Sequence, residues 1–349
     1  HGLSARVLLS IGCPEPGRAD RRWPVMGTFA SVEIHATDQD TADDIAERIR
    51  EAFDRVDASM SNWDEDSTIS RVNREAASGP LRVDDPDVYR DLKLAREYAR
   101  LTGGAYDPTV GPLLRLWGFR PHDPRVPNDA DIRVALEHVG WRKFELLPEH
   151  RSVRFLDGQI EIDLGGIAKG YALDVGLRNF ALTGAVGGLL DLGGNLAVWG
   201  TPPGAETWTI GLRDPGDADR ILAELDLRDR AVATSGNYEN AFRDGDAVYG
   251  HLMDPRTGRP ASSDVVAATA IADSGAQADA YATAFFVGGS LAIEPMLRDN
   301  ARLEAVLLVD RPEGPTLIAS ASLRGRLRPT PEFERRLGGR VRFVLPPSS

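Results

Sequence analysis

Apolar residues at helical spacing mark the first long element of this chain. Between Thr41 and Met60, Ile45, Ile49, Phe53, Val56 and Met60 fall on one face and predict an amphipathic helix, with Thr41 and Asp44 as a capping pair at its start. Ahead of it, Thr28 to Ala36 partly alternates and predicts a strand. A polar loop carrying Trp63 runs from Ser61 to Thr68. A second helix is predicted over Val88 to Leu101, with Val88, Leu92, Ala95 and Tyr98 on one face and Gly103-Gly104 as its stop. Arg120 to Asp131 is rich in Pro and Asp and reads as a surface loop. From about Val186 the pattern changes to short strands, at Leu189–Leu192, Ala197–Trp199, Trp208–Leu212, Ala231–Thr234 and Val248–Leu252, with Asp244-Gly245 as a tight hairpin turn. Ala278 to Phe286 predicts a helix of small residues, and Leu303–Val309 and Val341–Leu345 predict closing strands. Helices and strands do not alternate regularly, so a doubly wound parallel sheet fits poorly. The pattern predicts an α+β fold of largely antiparallel sheets packed with helices, in one compact unit.

Composition narrows the choice of partner. The 349 residues are 42% hydrophobic, ample for a packed core, and 53 acidic against 41 basic side chains give a formal net charge of -12. That balance argues against nucleic acid and anionic lipid as partners. It also disfavours an anionic substrate unless a metal and a few focused cations offset the field locally. No apolar run approaches the roughly 20 residues that span a bilayer. The single cysteine excludes an internal disulfide framework and any multi-cysteine metal site. It is Cys13, behind the apolar run Val7 to Ile11 and Gly12, which resembles the end of an exported lipoprotein leader; an incidental cysteine in a disordered N-terminus is the alternative. The expectation is therefore a leader and tether over residues 1–22, a catalytic domain over 23–349, and an exported, periplasmic protein whose only membrane attachment is a lipid at Cys13. A lone thiol in a leader leaves no thiol nucleophile for catalysis.

Two segments carry candidate chemistry. Ile160 to Gly170 reads as an apolar strand ending in Asp163, two glycines, and a helix with Lys169 in its first turn. Glycines admit a phosphate to the backbone, a helix N-terminus offers free N–H groups, and Lys169 adds a point charge. It is not a Walker loop, and a plain strand–turn–helix corner is the competing reading. Asp279 and Thr283, four residues apart, project oxygens from one helical face and suit a hard cation such as magnesium. The competing reading has Asp279 capping the helix and Thr283 bonding back to a carbonyl. His251 is a candidate proton acceptor by its ordinary pKa, or else a structural side chain. Asp107 and Asp254 are alternative bases, but each precedes a proline and suits turn stabilisation.

Further segments fall into one order with these: Met26-Gly27-Thr28, Met60-Ser61-Asn62-Trp63, Gly104 to Leu113, Ile162 to Ala172, Leu190 to Asn195, Thr234 to Glu239, His251 to Gly258 and Ala278 to Thr283. The series, from about Trp23 to about Gly289, closely resembles the ApbE family of FAD:protein FMN transferases. The resemblance implies a magnesium-dependent enzyme that splits FAD, attaches FMN through a phosphoester to a Ser or Thr hydroxyl of a target flavoprotein, and releases AMP. It makes Asp163, Lys169, Ala105, Tyr106 and Asp107 FAD-contacting positions, with Met26, Trp63 and His251 as further flavin-site positions. It makes Asp279 and Thr283 side-chain ligands of magnesium, with the Gly166 carbonyl completing the protein's share; His251 and Asp279 are the catalytic pair. The acceptors it implies are flavoprotein subunits of membrane redox pumps and related reductases. Two rivals remain open: an FAD pyrophosphatase that gives water the attacking role, and an exported FAD-binding protein without turnover.

Overall fold

Nine segments of the chain pair edge to edge in the order in which they occur: Gly17–Val25, Thr28–Ala36, Ala185–Leu192, Asn195–Gly200, Arg230–Gly236, Val265–Ala272, Glu304–Val309, Thr316–Ser320 and Arg340–Val344. Every neighbouring pair is antiparallel except the last, which is parallel. The computed structural model describes residues 16–344, apart from 121, 179, 181–183, 238, 239 and 299; Cys13 and the leader-like run lie outside the described residues. Helices α1 (Gln39–Met60), α2 (Thr68–Glu75), α3 (Pro86–Leu101), α4 (Gly111–Leu116), α5 (Asp129–Leu136) and α6 (Ala168–Arg178) all come between the second and third strands, and α7 (Gly275–Gly288) between the sixth and seventh.

The period of two along each strand sorts the core into layers. Ala231, Ala233, Ala268, Ala270, Ala272 and Ala305 join the cluster shared with α1, α3, α6 and α7, and their small side chains let the alanine-rich α7 approach the sheet. Val232, Ile271, Val306 and Leu308 face the other way, against a small sheet of Trp208–Asp214, Asp217–Leu227 and Leu327–Pro329. A third cluster, with Leu113, Trp117, Ile132, Val139 and Met253, lies under α4 and α5. The α+β expectation with largely antiparallel sheets therefore holds.

Local chemistry corrects three sequence expectations. Folded structure is already present ahead of Trp23: Gly17–Val25 is an edge strand with Ala19 and Val25 buried and Arg18, Asp20, Arg21 and Arg22 turned to solvent, so its polar face disguised it as a tether. Asp38, not Thr41, caps α1, accepting from the Thr41 N–H at 2.8 Å. Ile160 to Asp163 is extended but is no ladder strand. The Ile162 carbonyl accepts from the side chains of Asn62 and Asn73, both at 2.9 Å, and the Asp163 N–H donates to the Pro108 carbonyl at 2.7 Å.

One helix crossing positions the site. A Cβ on Gly170 would lie 2.0 Å from the Gly275 carbonyl oxygen, and one on Gly275 would lie 2.2 Å from that of Gly170. The backbones of α6 and α7 thus touch where no other residue fits. Two carboxylates secure the contact from opposite sides: Asp174 of α6 accepts from the Gly275 and Ala276 N–H groups at 2.5 and 3.0 Å, and Asp279 of α7 accepts from the Gly170 N–H at 3.0 Å. Each helix start is capped by the other helix. Gly170→Ala is expected to cost at least about 1–3 kcal/mol, the range for inserting a methyl into a filled core, read as a lower urea midpoint; an unchanged midpoint would show that the helices part easily.

Candidate active site

Beside this crossing opens a cavity of about 610 Å³, within the range of cofactor sites. Of the site residues singled out from the sequence, Met26, Trp63, Ala105, Tyr106, Asp107, Asp163, Gly166, Lys169, His251, Asp279 and Thr283 line it, and the alternative base Asp254 does not.

The start of α6 forms one wall. Asp163 fixes its own turn, Oδ1 accepting from the Gly165 N–H at 2.7 Å. Lys169, half-buried in the first turn of α6, faces the opposite wall. There α7 begins at Ser274, whose side chain accepts from the Gln277 N–H, so Asp279 is not the cap. Asp279 is buried, and burial pushes its carboxyl up against the opposing pull of Lys169 and the Gly170 N–H. Thr283 lies one turn further, its hydroxyl 3.3 Å from that of Ser235 on the sheet. A Cβ on Gly166 would sit 3.2 Å from the Tyr106 ring and 3.4 Å from the Thr283 hydroxyl, so a side chain there would crowd both.

The segment after α3 supplies the floor. Gly103 and Gly104 take positive φ, with the Gly104 N–H donating to Ala99 and that of Gly103 to Arg100, the bond pair of a Schellman stop. Tyr106 follows, buried, with its hydroxyl unpartnered among the described residues. Asp107 is fully engaged: Oδ1 accepts from the Thr109 N–H and hydroxyl at 2.9 and 2.6 Å, and Oδ2 from the Trp141 N–H at 2.9 Å. Its geometry serves the turn rather than proton transfer. Asp254 likewise accepts from the Arg256 N–H and guanidinium at 2.8–2.9 Å.

The mouth is built from less regular pieces. Met26 and Gly27 form the two-residue turn between the first two strands, both with positive φ, and the Met26 N–H donates to Asp57 at 2.9 Å. A left-handed methionine is unusual, and here it turns the side chain into the cavity lining. Trp63 is 60% exposed and stacks on His122 with ring centroids 5.2 Å apart. His251 follows the strand Ala247–Gly250, with Nδ1 3.3 Å from the Asn240 carbonyl oxygen. That acceptor calls for a proton on Nδ1 and leaves the Nε2 lone pair free. Burial, with the Lys169 charge adding to it, pulls the imidazole pKa down.

Sequence reading missed Asp57, Arg120, His122 and Ser235, all of which line the cavity. The expected surface loop at 120–131 instead begins with Arg120, which is only 8% exposed. No periodicity marks these positions. Asp91 of α3 was missed too: it is fully buried, with both carboxylate oxygens unpartnered among the described residues. Burial, then the nearby Asp279, Asp174 and Asp87, pushes its carboxyl well up and favours the neutral acid.

A family-wide sequence model of the ApbE family matches residues 26–307. The chain belongs to the ApbE family. It is a transferase, like the curated relatives it matches. The FAD:protein FMN transferase of Vibrio cholerae serotype O1 is 30% identical over 328 residues, covering 92% of this chain and 96% of that protein. That of Treponema pallidum is 29% identical, covering 81% and 82%. Among solved structures, the ApbE protein of Thermotoga maritima superposes with a TM-score of 0.75 at 32% identity over 91% of this chain and 98% of its own. The flavin transferase ApbE of Vibrio cholerae superposes with a TM-score of 0.79 at 28% identity over 89% and 99%. The cavity thus belongs to an ApbE fold along nearly its whole length.

The lowered pKa of His251 has a direct readout. Its imidazole should titrate below the ordinary midpoint of about 6.5, followed by proton NMR with His251→Gln to assign the resonance; a midpoint at that value would place the ring in solvent, and one above it beside an unopposed carboxylate.

Proposed function

We propose that this protein transfers FMN from FAD to a Ser or Thr hydroxyl of a target flavoprotein, releasing AMP, in a magnesium-dependent reaction. The observation that carries this reading is the meeting of the Lys169-bearing helix start with Asp279 and Thr283 across one cavity, joined by the Gly170–Asp279 hydrogen bond of 3.0 Å. The names of the relatives support flavin transfer in particular.

The residues fit the metal. Asp279 is a buried carboxylate whose Oδ2 accepts from the Gly170 N–H at 3.0 Å. The Thr283 hydroxyl faces Gly166, 3.4 Å from where a Cβ there would lie. Together with the Gly166 carbonyl they form an all-oxygen donor set, the kind a hard cation takes. Such a protein share is small, and phosphate oxygens and water would supply the remaining positions, as a hard cation of this kind takes them. Magnesium bound there supplies withdrawal of charge from the pyrophosphate.

The chain's own residues do the rest. Lys169 offsets phosphate charge from the α6 side, and the backbone at Gly165 and Gly166 allows close approach. Met26, Trp63 and Tyr106 offer apolar or aromatic surface for the rings. His251, neutral and with Nε2 free, takes the proton of the acceptor hydroxyl as its oxygen attacks the FMN phosphorus. The bond from that phosphorus to the bridging oxygen breaks, and AMP leaves with that oxygen. Positioning and electrostatics account for most of such catalysis. Export and lipid attachment at Cys13 belong to the same reading and rest on the leader-like run before it. An acceptor subunit of a membrane redox pump or reductase is the matching partner by family resemblance.

The decisive assay mixes the protein with FAD, magnesium and a protein domain bearing an acceptor threonine. Covalent flavin fluorescence on the acceptor with stoichiometric AMP is expected. Free FMN and AMP without labelling would mean hydrolysis, and FAD binding without AMP would mean a carrier. Asp279→Asn keeps an acceptor for the Gly170 N–H but loses the charge, and should lower AMP release by at least about a hundredfold, the scale of losses around metal sites. Activity near that of the unaltered protein would remove the metal assignment. Lys169→Ala should weaken FAD binding by roughly ten- to a hundredfold, the worth of one charge-assisted contact, seen by fluorescence titration.

A further inference from the structure

Arg120 sits just past α4, almost completely buried, yet lines the cavity. Its partners are unevenly shared. Glu161 is gripped from outside by Arg115, whose Nε and Nη2 lie 2.9–3.1 Å from the two carboxylate oxygens, a bidentate fork. Arg120 reaches Glu161 and Asp163 through Nη2 alone, at 2.7 and 3.4 Å. Its Nε is buried and has no hydrogen-bond partner among the described residues. A guanidinium kept only for structure would use its fork as Arg115 does, because burying an unsatisfied cation is costly.

Asp163 is the other half of the arrangement. Its Oδ1 is fixed by the Gly165 N–H at 2.7 Å, and Oδ2 is the oxygen beside Arg120. A fixed carboxylate acceptor therefore stands next to a partly used set of N–H donors on the cavity wall. Resting on the FAD reading above, we infer that Arg120 is a FAD-binding residue that pairs with Asp163 to receive the hydrogen-bonding edge of a nitrogen heterocycle. Such an edge presents an acceptor beside an N–H donor, the complement of guanidinium and carboxylate side by side. FAD carries two: the imide edge of the isoalloxazine, and the amino and ring-nitrogen edge of adenine. Arg120 also holds Asp163 in place, so the two residues act as a unit.

The test is binding, independent of turnover. The unaltered protein, Arg120→Gln, Asp163→Asn and the double variant are titrated with FAD, FMN and AMP, using flavin fluorescence or calorimetry. Arg120→Gln is expected to weaken FAD roughly ten- to a hundredfold, as loss of a charge-assisted hydrogen bond should. The loss should recur with FMN alone if the imide edge binds here, or with AMP alone if adenine does. The double variant should lose little beyond either single change. In turnover, KM for FAD should rise more than kcat falls. If Arg120→Gln fails to fold, Arg120→Lys keeps a cation against Glu161 without the planar fork, and should weaken the same ligand. FAD affinity unchanged in a folded variant, equal losses for FMN and AMP, or additive losses in the double variant would each overturn the inference. Absence of FAD binding to the unaltered protein would instead overturn the proposed function.

Discussion

The contact between Gly170 and Gly275 constrains everything built above it. Two helix backbones meet with no side chain between them, and each helix's first free N–H groups are taken by a carboxylate from the other. The arrangement is self-reinforcing. Asp279 cannot rotate away without stranding the Gly170 amide, and Asp174 cannot leave without uncapping α7. Because Lys169 and Gly170 are consecutive, the same bond that seats Asp279 also fixes where the Lys169 side chain departs from its helix. Geometry at the centre of the site is thereby set by backbone contact, which varies far less than side-chain packing.

Charge is distributed with similar economy. The chain is strongly acidic, yet the carboxyls nearest the helix crossing are those least inclined to ionise. Burial pushes Asp174 up to about 6, Asp91 well up, and Asp279 in the same direction. Asp107 is raised by burial too, although four protein donors or charges oppose the shift. The negative field at the cavity is consequently weaker than the formal charge implies, and Lys169 and Arg120 act on it from close range. A cation entering beside Asp279 would add to the pull of Lys169 and the Gly170 N–H on a carboxylate that burial otherwise keeps from ionising.

How far the sequence reveals this depends on whether the signal is local. The amphipathic α1, the Gly103-Gly104 stop and the Asp244-Gly245 hairpin follow from spacing and turn chemistry within a few residues, and the molecule has them. The candidate site residues stand in motifs that cluster around glycines and carboxylates, and the fold brings all but Asp254 to one cavity. Gly17–Val25 was hidden because an edge strand with one wet face has few apolar residues. Ile160 to Asp163 was misassigned because its hydrogen bonds go to the side chains of Asn62, in the loop after α1, and Asn73, in α2, both far away in sequence. Arg120 and Asp91 were invisible for a related reason: their importance lies in what surrounds them in space. An aspartate on an otherwise ordinary helix carries no sign that its oxygens will be sealed away.

The placement of the two site helices has a consequence for how the protein is made. Residues 170 and 279 are separated by 109 positions along the chain, and the sheet's second and third strands are separated by six helices. Loop closure over such a span costs only about 2 kcal/mol more than closure over ten residues, so the penalty on stability is slight. The penalty on timing is greater, since distant pairings form late. A nascent chain that has not yet emerged past α7 has the lysine-bearing helix start but nothing opposite it. Competence to bind nucleotide should arise in one step near the end of folding, and a truncated or half-threaded chain would be inert rather than partly active.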